Sequence, residues 1–157
     1  MDEYREALRR LTLAMNQIDG LYYRAARKLR MKDNTLSLLY ALDDGHSHSQ
    51  KQICEEWLIP KTTINTIVRE LVGQGYLLLE TEPQSREKAL RLTPAGRAWA
   101  SRNLEKLYHM EEDAMRQMLS SHSGDFVQSF SDFADCLKHS FDQTFSLAEE
   151  TSTEESG

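Results

Sequence analysis

Long apolar segments and clustered cysteines are scarce in this chain of 157 residues. No apolar run approaches the roughly 20 residues of a membrane-spanning helix, so we expect no membrane span. The N-terminal residues are charged from Asp2 onward and contain no apolar core of the kind found in signal peptides. Cys54 and Cys136 lie far apart in sequence and form no disulfide framework. We therefore expect a cytoplasmic protein, since the cytoplasm is a reducing compartment.

Signatures of catalysis are missing as well. The sequence has no glycine-rich phosphate loop, no Gly-x-Ser-x-Gly segment and no cysteine with a nearby base. His46 and His48 stand two residues apart on a segment that looks extended, where their side chains would point to opposite sides and chelate a metal poorly. We therefore expect a protein that is not an enzyme and holds no cofactor and no metal.

The two cysteines raise the alternative of oxidant sensing. Cys54 stands with Ile53 and Trp57 on one apolar stripe at helical spacing, and Cys136 precedes Leu137 in an aromatic segment. Buried cysteine usually behaves as a small apolar residue. We therefore favour a structural role in the core for both cysteines.

Acidic residues exceed basic ones, and their distribution matters more than the net charge of −6. Residues 61–102 hold seven basic and four acidic side chains, a net charge of +3, whereas residues 103–157 hold three basic and twelve acidic ones, a net charge of −9. Distant charges are screened over about 8 Å at physiological salt. The basic segment can therefore meet an anionic partner such as nucleic acid despite the acidic total.

That basic segment is preceded by a pattern typical of a helix, a turn and a second helix. Ser49 can cap the first helix and Gln52 can reach back to it, as in a capping box. Pro60 fits at or just before the first turn of a helix and not in its interior, so it predicts a turn followed by a new helix. In that helix, one narrow face is apolar and consists of Ile64, Ile67, Val68 and Leu71.

The opposite face is polar and basic, which suits it to base edges and phosphates. Its residues are Lys61, Thr62, Thr63, Asn65, Thr66 and Arg69. Gly73 and Gly75 then end the helix. Residues 76–81 and 89–92 have the composition of two strands joined by a turn-rich tip, and Thr93-Pro94 can cap and start a further helix. The order of helix, turn, helix, hairpin and helix predicts a winged helix.

This unit resembles the multiple-antibiotic-resistance regulator (MarR) family of winged-helix repressors. The matching elements are the helix pair from Gln52 to Leu71, the "LVGQGYL" segment, a wing with Pro83 and Arg86, and "LTPAG". The resemblance implies a homodimer that binds double-stranded DNA at a pseudo-palindromic operator and is often released by a small ligand or an oxidant.

The wing departs from the family pattern at two positions. The family commonly has Asp where this chain has Ser85, and a second basic residue is frequent where it has Glu87. We expect Arg86 to enter or border the minor groove and Lys88 to contribute basic charge, with weaker DNA binding or a different arrangement of Arg86.

Long helices are predicted on both sides of the winged unit. We expect one from about residue 3 to 30, a second carrying Leu36 and Leu42, one from 94 to about 120, and a last helix with an aromatic stripe. The stripe consists of Phe126, Phe130, Phe133, Leu137, Phe141 and Phe145. It needs a partner surface, either the first helix of the chain or a second copy across a two-fold axis.

The predicted fold is mainly α with a small β-hairpin, a winged helix-turn-helix with long N- and C-terminal dimerisation helices. Residues 1–30 and 94–147 would form the helical dimerisation region, residues 31–93 the DNA-binding domain, and residues 148–157 a disordered acidic tail. Tyr22, Tyr23, Tyr40 and Trp99 are candidates to line a pocket for a small aromatic effector, although the same residues would also suit a core. The alternative function is a winged-helix protein-interaction module without DNA binding.

Overall fold

The computed structural model describes residues 3–81 and 87–154, with side chains described as far as residue 145. Six helices and three strands follow one another along these residues, which confirms the predicted winged-helix fold. In order they are α1 (Glu3–Lys28), α2 (Asp33–Leu42), β1 (His48–Ser49), α3 (Gln50–Glu56), α4 (Lys61–Gly73), β2 (Leu77–Thr81), β3 (Lys88–Leu92), α5 (Pro94–Ser121) and α6 (Asp125–Glu154).

The chain divides into two units, Met1–His109 and Met110–Gly157. Within the first unit, α1 and the first half of α5 contribute to the same apolar core as the winged helix, and the division into dimerisation and DNA-binding regions stays a prediction. Ala26 of α1 is fully buried, as are Ala100 and Leu104 of α5. Burial of these side chains joins the helices to the winged unit.

The helix-turn-helix begins at Ser49, as the sequence predicts. The hydroxyl of Ser49 accepts a hydrogen bond from the backbone N–H of Gln52 (3.4 Å), whereas the Gln52 side chain donates to Glu56 (2.7 Å) and does not reach back. The predicted capping box is therefore half formed. The turn into α4 contains Leu58 at φ 51°, an unfavourable conformation for leucine, and Pro60 occupies the N-cap position of α4.

The wing is part of a three-stranded antiparallel sheet with the order β1-β3-β2. β3 pairs with β2 through Leu90 opposite Leu79, and with β1 through Leu90 opposite His48. The sequence predicts an extended link where β1 lies, so this short third strand is an addition. Because it pairs with β3, the start of the helix-turn-helix is fixed to the base of the wing.

Two glycines shape the way into and out of the sheet. Gly75 precedes β2 at φ 76°, the left-handed region in which glycine carries no Cβ penalty. Gly96 lies in the first turn of α5, where an added Cβ would overlap the carbonyl oxygen of Tyr76. Thr93 holds this crossing together, since its hydroxyl donates to the Gly75 carbonyl (2.7 Å) and accepts from the Gly96 N–H (2.9 Å).

One expectation for the second unit differs from the structure, and another is covered only in part. The acidic tail is predicted to be disordered from residue 148; α6 continues to Glu154, and residues 155–157 lie outside the described residues. Cys136 is exposed instead of packed in a core, because the neighbouring stripe on α6 is itself exposed in the single chain.

Candidate nucleic-acid interface

One face of α4 is buried and the opposite face is exposed along its whole length. Ile64, Ile67, Val68 and Leu71 pack into the core with no more than 4% of their surface exposed. Thr62, Asn65, Thr66 and Arg69 follow helical spacing on the other side and are all exposed, as is Lys61 in the first turn. Thr63 is half-buried. All six predicted α4 residues therefore lie at or beside one solvent-facing surface, which we call the α4 face.

Hydrogen bonds fix two side chains on the α4 face. The Gln50 amide at the start of α3 donates to the Asn65 side-chain oxygen across 2.6 Å. The Thr66 hydroxyl donates to the carbonyl oxygen of Thr62 one turn earlier, at 3.2 Å. These contacts restrict the rotamers of Asn65 and Thr66, so a partner would meet polar groups that are already oriented.

Basic side chains lie along one edge of the α4 face, in the groove between α3, α4 and the base of the wing. This wing-side groove has a volume of about 590 Å³. Lys51, Lys61 and Lys88 line it together with Asn65 and the acidic Glu55. The predicted Lys61, Asn65 and Lys88 thus come together, and they are joined by Lys51, which sequence reasoning missed.

A second groove, of about 410 Å³, runs along the other edge of the α4 face. Its lining includes Thr63 and Thr66 of α4 together with Arg27, Lys32 and the acidic Asp33 from the junction of α1 and α2. We call it the α1-side groove. Arg27 and Lys32 stand 34 and 29 positions before Lys61, the first residue of α4, so helix periodicity alone does not connect them to it. The run Arg27, Lys28, Arg30 and Lys32 is the signal that could have found them.

The base of the wing carries an acidic contact. The Ser49 hydroxyl donates to the carboxylate of Glu87 across 2.9 Å, from the start of α3 to the residue before β3. Arg91 pairs with Glu80 across the hairpin at 3.0 Å. Arg86, predicted at the tip, lies outside the described residues. The Glu87 carboxylate, which precedes Lys88 in sequence, is therefore tied to the start of the helix-turn-helix.

Cys54 is half-buried in the wing-side groove. Burial raises the pKa of its thiol above the ordinary value, the Glu55 carboxylate raises it further, and Lys61 partly opposes the shift. A raised pKa reduces the thiolate fraction that reacts with oxidants. The geometry thus agrees with the structural role that the sequence favours.

His48 contacts an acidic residue and not another histidine. Its Nε2 lies 3.0 Å and 2.9 Å from the two carboxylate oxygens of Asp44, which also accepts from the His46 N–H. The hydrogen bond from His48, followed by that from the His46 backbone, lowers the pKa of Asp44. Among the described residues, no three His, Cys, Asp or Glu side chains are grouped as a metal site would require.

The four aromatic residues proposed to line a pocket do not share one location. Tyr22 and Tyr40 line a cavity of about 370 Å³ together with Trp57, and we call it the aromatic cavity. Tyr23 lines the α1-side groove instead. Trp99 stacks on Tyr76, with ring centroids 4.8 Å apart and planes nearly parallel. Sequence reasoning missed Trp57, which it placed on the buried stripe of α3.

No helix in the described part of the chain is long and apolar enough to cross a membrane. A family model described as MarR family matches residues 31–86. These residues contain the helix-turn-helix and the start of the wing. A comparison with curated protein sequences finds no match.

Solved structures are similar over most of the chain. A MarR family regulator from Neisseria meningitidis is 26% identical, with a TM-score of 0.69 over 89% of this chain and 96% of that one. The transcriptional repressor CouR, bound to a 23-mer DNA duplex, is similar in fold at 19% identity and a TM-score of 0.56, covering 82% and 89% of the two chains. NadR in complex with 4-hydroxyphenylacetate is similar in fold at 14% identity and a TM-score of 0.64, and the match covers 81% of this chain and 88% of that one.

Proposed function

We propose that this chain is a winged-helix protein of the MarR family, whose family model matches residues 31–86, and that it acts as a cytoplasmic, homodimeric repressor of transcription. It binds a pseudo-palindromic operator in double-stranded DNA and is released by a small ligand. DNA recognition, and not catalysis, is its activity.

The observation that carries this proposal is the exposed polar α4 face between two grooves lined by basic residues. α4 enters the major groove, where Thr62, Thr63, Asn65 and Thr66 meet base edges or phosphates. Lys61 and Arg69 bind phosphates along the same face. The lysines of the wing-side groove and Arg27 and Lys32 of the α1-side groove bind the two flanking backbones.

The acidic Glu87 reduces the net positive charge that the wing offers to DNA. Arg86 enters or borders the minor groove and Lys88 binds the adjacent backbone. Glu87 stands between them in sequence, and its carboxylate is held by Ser49. A fixed carboxylate near phosphates opposes binding, so we expect moderate affinity with a strong dependence on salt.

The aromatic stripe of α6 supports the homodimer. The ring centroids of Phe141 and Phe145 lie 4.7 Å apart, and each side chain is more than half exposed in the single chain. Apolar surface of this kind marks an interaction site. A second copy related by a two-fold axis covers it and places two α4 helices about 34–36 Å apart, the spacing of successive major grooves.

A titration of DNA by gel shift tests the proposal directly. The full-length protein is mixed with the DNA upstream of its own gene, and with an unrelated duplex, at 50 and 200 mM salt. Tighter binding to the upstream DNA and a steep salt slope are expected. Arg69→Ala and Arg86→Ala should each weaken binding and reduce the slope by about 1, since each removes one positive charge from the surface that meets the DNA.

Arg102→Ala is the matched control, because Arg102 is exposed on α5 and lines neither groove. It should leave the affinity and the slope unchanged. No binding at low salt, or binding unaffected by both test substitutions, would contradict the proposal. That result would leave the alternative of a protein-interaction module that keeps the winged fold.

A further inference from the structure

The aromatic cavity lies within the first unit, and its walls come from three helices and from the residue that follows α3. Tyr22 lies on α1, Leu36 and Tyr40 on α2, Trp57 directly after α3, and Leu107 on α5. Its volume of about 370 Å³ falls in the range of small-molecule sites. A compound of the size of one substituted aromatic ring fits such a space.

The rings of the cavity are held in place by their neighbours. Tyr40 contacts Trp57 and Tyr108, each with ring centroids 5.6 Å apart and planes strongly inclined. The Tyr108 hydroxyl in turn donates to the Asp43 carboxylate at 2.7 Å. Tyr40 is thereby fixed from two sides, and the aromatic wall is in place before any ligand arrives.

The charge of the cavity is negative. Among the described residues that line it, Asp19 is the charged one, and Ser37 adds a hydroxyl. A carboxylate disfavours an anionic ligand, whereas aromatic faces attract cations through the negative charge of their π systems. A carboxylic acid would meet repulsion from Asp19 and no basic group among these residues.

We propose that the aromatic cavity binds a small organic cation, an ammonium or amidinium group on an aromatic or alkyl body. The cationic group lies against Asp19, and the apolar body contacts Tyr22, Tyr40 and Trp57. The assignment rests on the proposed function for its regulatory role alone, since occupation of the cavity by a cation is a separate property.

The position of Trp57 connects the aromatic cavity, through the turn that follows this residue, to the start of the α4 face. Trp57 is the last residue before the turn in which Leu58 adopts φ 51°, and the buried Ile59 and the cap Pro60 follow directly. A ligand packed on Trp57 contacts the residue directly before this turn, whose backbone is already strained at Leu58. Movement of this turn shifts the first residues of α4, including Lys61.

Isothermal titration calorimetry without DNA tests the cavity itself. The probes are benzyltrimethylammonium, as a cation, and 4-hydroxyphenylacetate, as an anion of similar size. The cation should bind at least about tenfold more tightly than the anion. Asp19→Asn keeps the shape of the side chain, removes its charge, and should weaken cation binding by about fivefold to tenfold.

Glu6→Gln is the matched control, because it removes another exposed carboxylate of α1 that does not line the cavity. It should leave the affinity for both probes unchanged. Ser37→Lys provides an independent variant in case Asp19→Asn fails to fold, and it should abolish the preference for the cation. Absence of cation binding, a preference for the anion, or a preference that is unchanged in folded Asp19→Asn and folded Ser37→Lys would overturn the proposal.

The regulatory role is tested by adding benzyltrimethylammonium to the DNA titration. A saturating concentration should change the affinity for DNA by at least about fivefold in the natural protein and not in Asp19→Asn. Cation binding with unchanged DNA affinity would overturn the role as effector. Cation binding by a chain that binds no DNA would contradict the proposed function and leave the cavity assignment standing.

Discussion

The core of the winged unit and the stripe of α6 use the same kinds of residues in opposite ways. Leu39, Leu90 and Leu104 are fully buried by neighbours within the first unit. On α6, Leu137 and Phe141 are 58% and 59% exposed in the single chain. One region completes its apolar core with its own residues, whereas the other presents an equally apolar surface that its own chain leaves uncovered.

The difference shows that a helical apolar stripe does not reveal which surface covers it. The apolar stripe of α4 in the core and the stripe of α6 both follow helical spacing, and the sequence predicts both as buried faces. Burial inside one chain stabilises that chain at any protein concentration. Burial between two chains stabilises them only to the extent that they associate.

The largest effect should follow a leucine-to-alanine change in the core. Leu104→Ala should lower the free energy of unfolding by about 2–5 kcal/mol, because it leaves a cavity among packed side chains. Leu137→Ala makes the same chemical change on the exposed stripe of α6. Its cost should rise with protein concentration if the stripe forms a dimer interface, and stay within about 0.5 kcal/mol of zero if it faces water.

Urea unfolding at two protein concentrations, together with sedimentation equilibrium, measures both effects. The comparison of the two regions fails if Leu104→Ala costs less than Leu137→Ala at low concentration. Sedimentation of the unchanged protein as a monomer at micromolar concentration would contradict the homodimer.

A smaller effect should follow removal of a hydroxyl in the winged unit. Ser49→Ala should destabilise the protein by about 1 kcal/mol, because the hydroxyl both caps α3 and donates to Glu87. Ser129→Ala is the matched change on α6, where the hydroxyl donates to the Asp125 carbonyl within the helix. Thermal unfolding should show little change for Ser129→Ala. Equal losses in the two variants would mean that the contacts of Ser49 add nothing to stability.

The smallest effect concerns Asp44, an exposed residue whose pKa is lowered by the hydrogen bond from His48. A lowered carboxyl pKa contributes stability above the ordinary value of 3.8, and this contribution is lost as the pH falls below it. Asp44→Asn should therefore cost about 0.5 kcal/mol or less near pH 6 and nothing at pH 2. Urea midpoints of the natural protein and of Asp44→Asn, measured across this pH range, give the difference in their stability. A difference that grows as the pH falls would contradict the assignment.

Local patterns of residues predicted most of the helices and the wing. Pro60 and the Thr93-Pro94 pair mark where helices begin, since their backbone requirements are local. β1 was missed because two residues give no alternation to detect, and its pairing with Leu90 comes from the sheet.

The candidate site likewise has residues that local sequence predicts and residues that only tertiary packing brings together. The α4 face needed only helix periodicity, whereas Lys51, Arg27 and Lys32 join its edges through tertiary packing of distant segments. Trp57 is the clearest example. Its spacing from Ile53 suggested the buried stripe of α3, but the helix ends at Glu56 and the ring lies in the aromatic cavity. Periodicity holds only inside an element, so a residue one position beyond its end can face elsewhere.

Gly75 and Gly96 together limit which sequences can carry this wing, and each does so for a different reason. At Gly75 the space is open and the restriction is the sign of φ, so asparagine or a D-amino acid is compatible there. At Gly96 the restriction is volume, because the Tyr76 carbonyl occupies the place of a Cβ. A saturation library would thus retain a few residue types at the first position and glycine alone at the second.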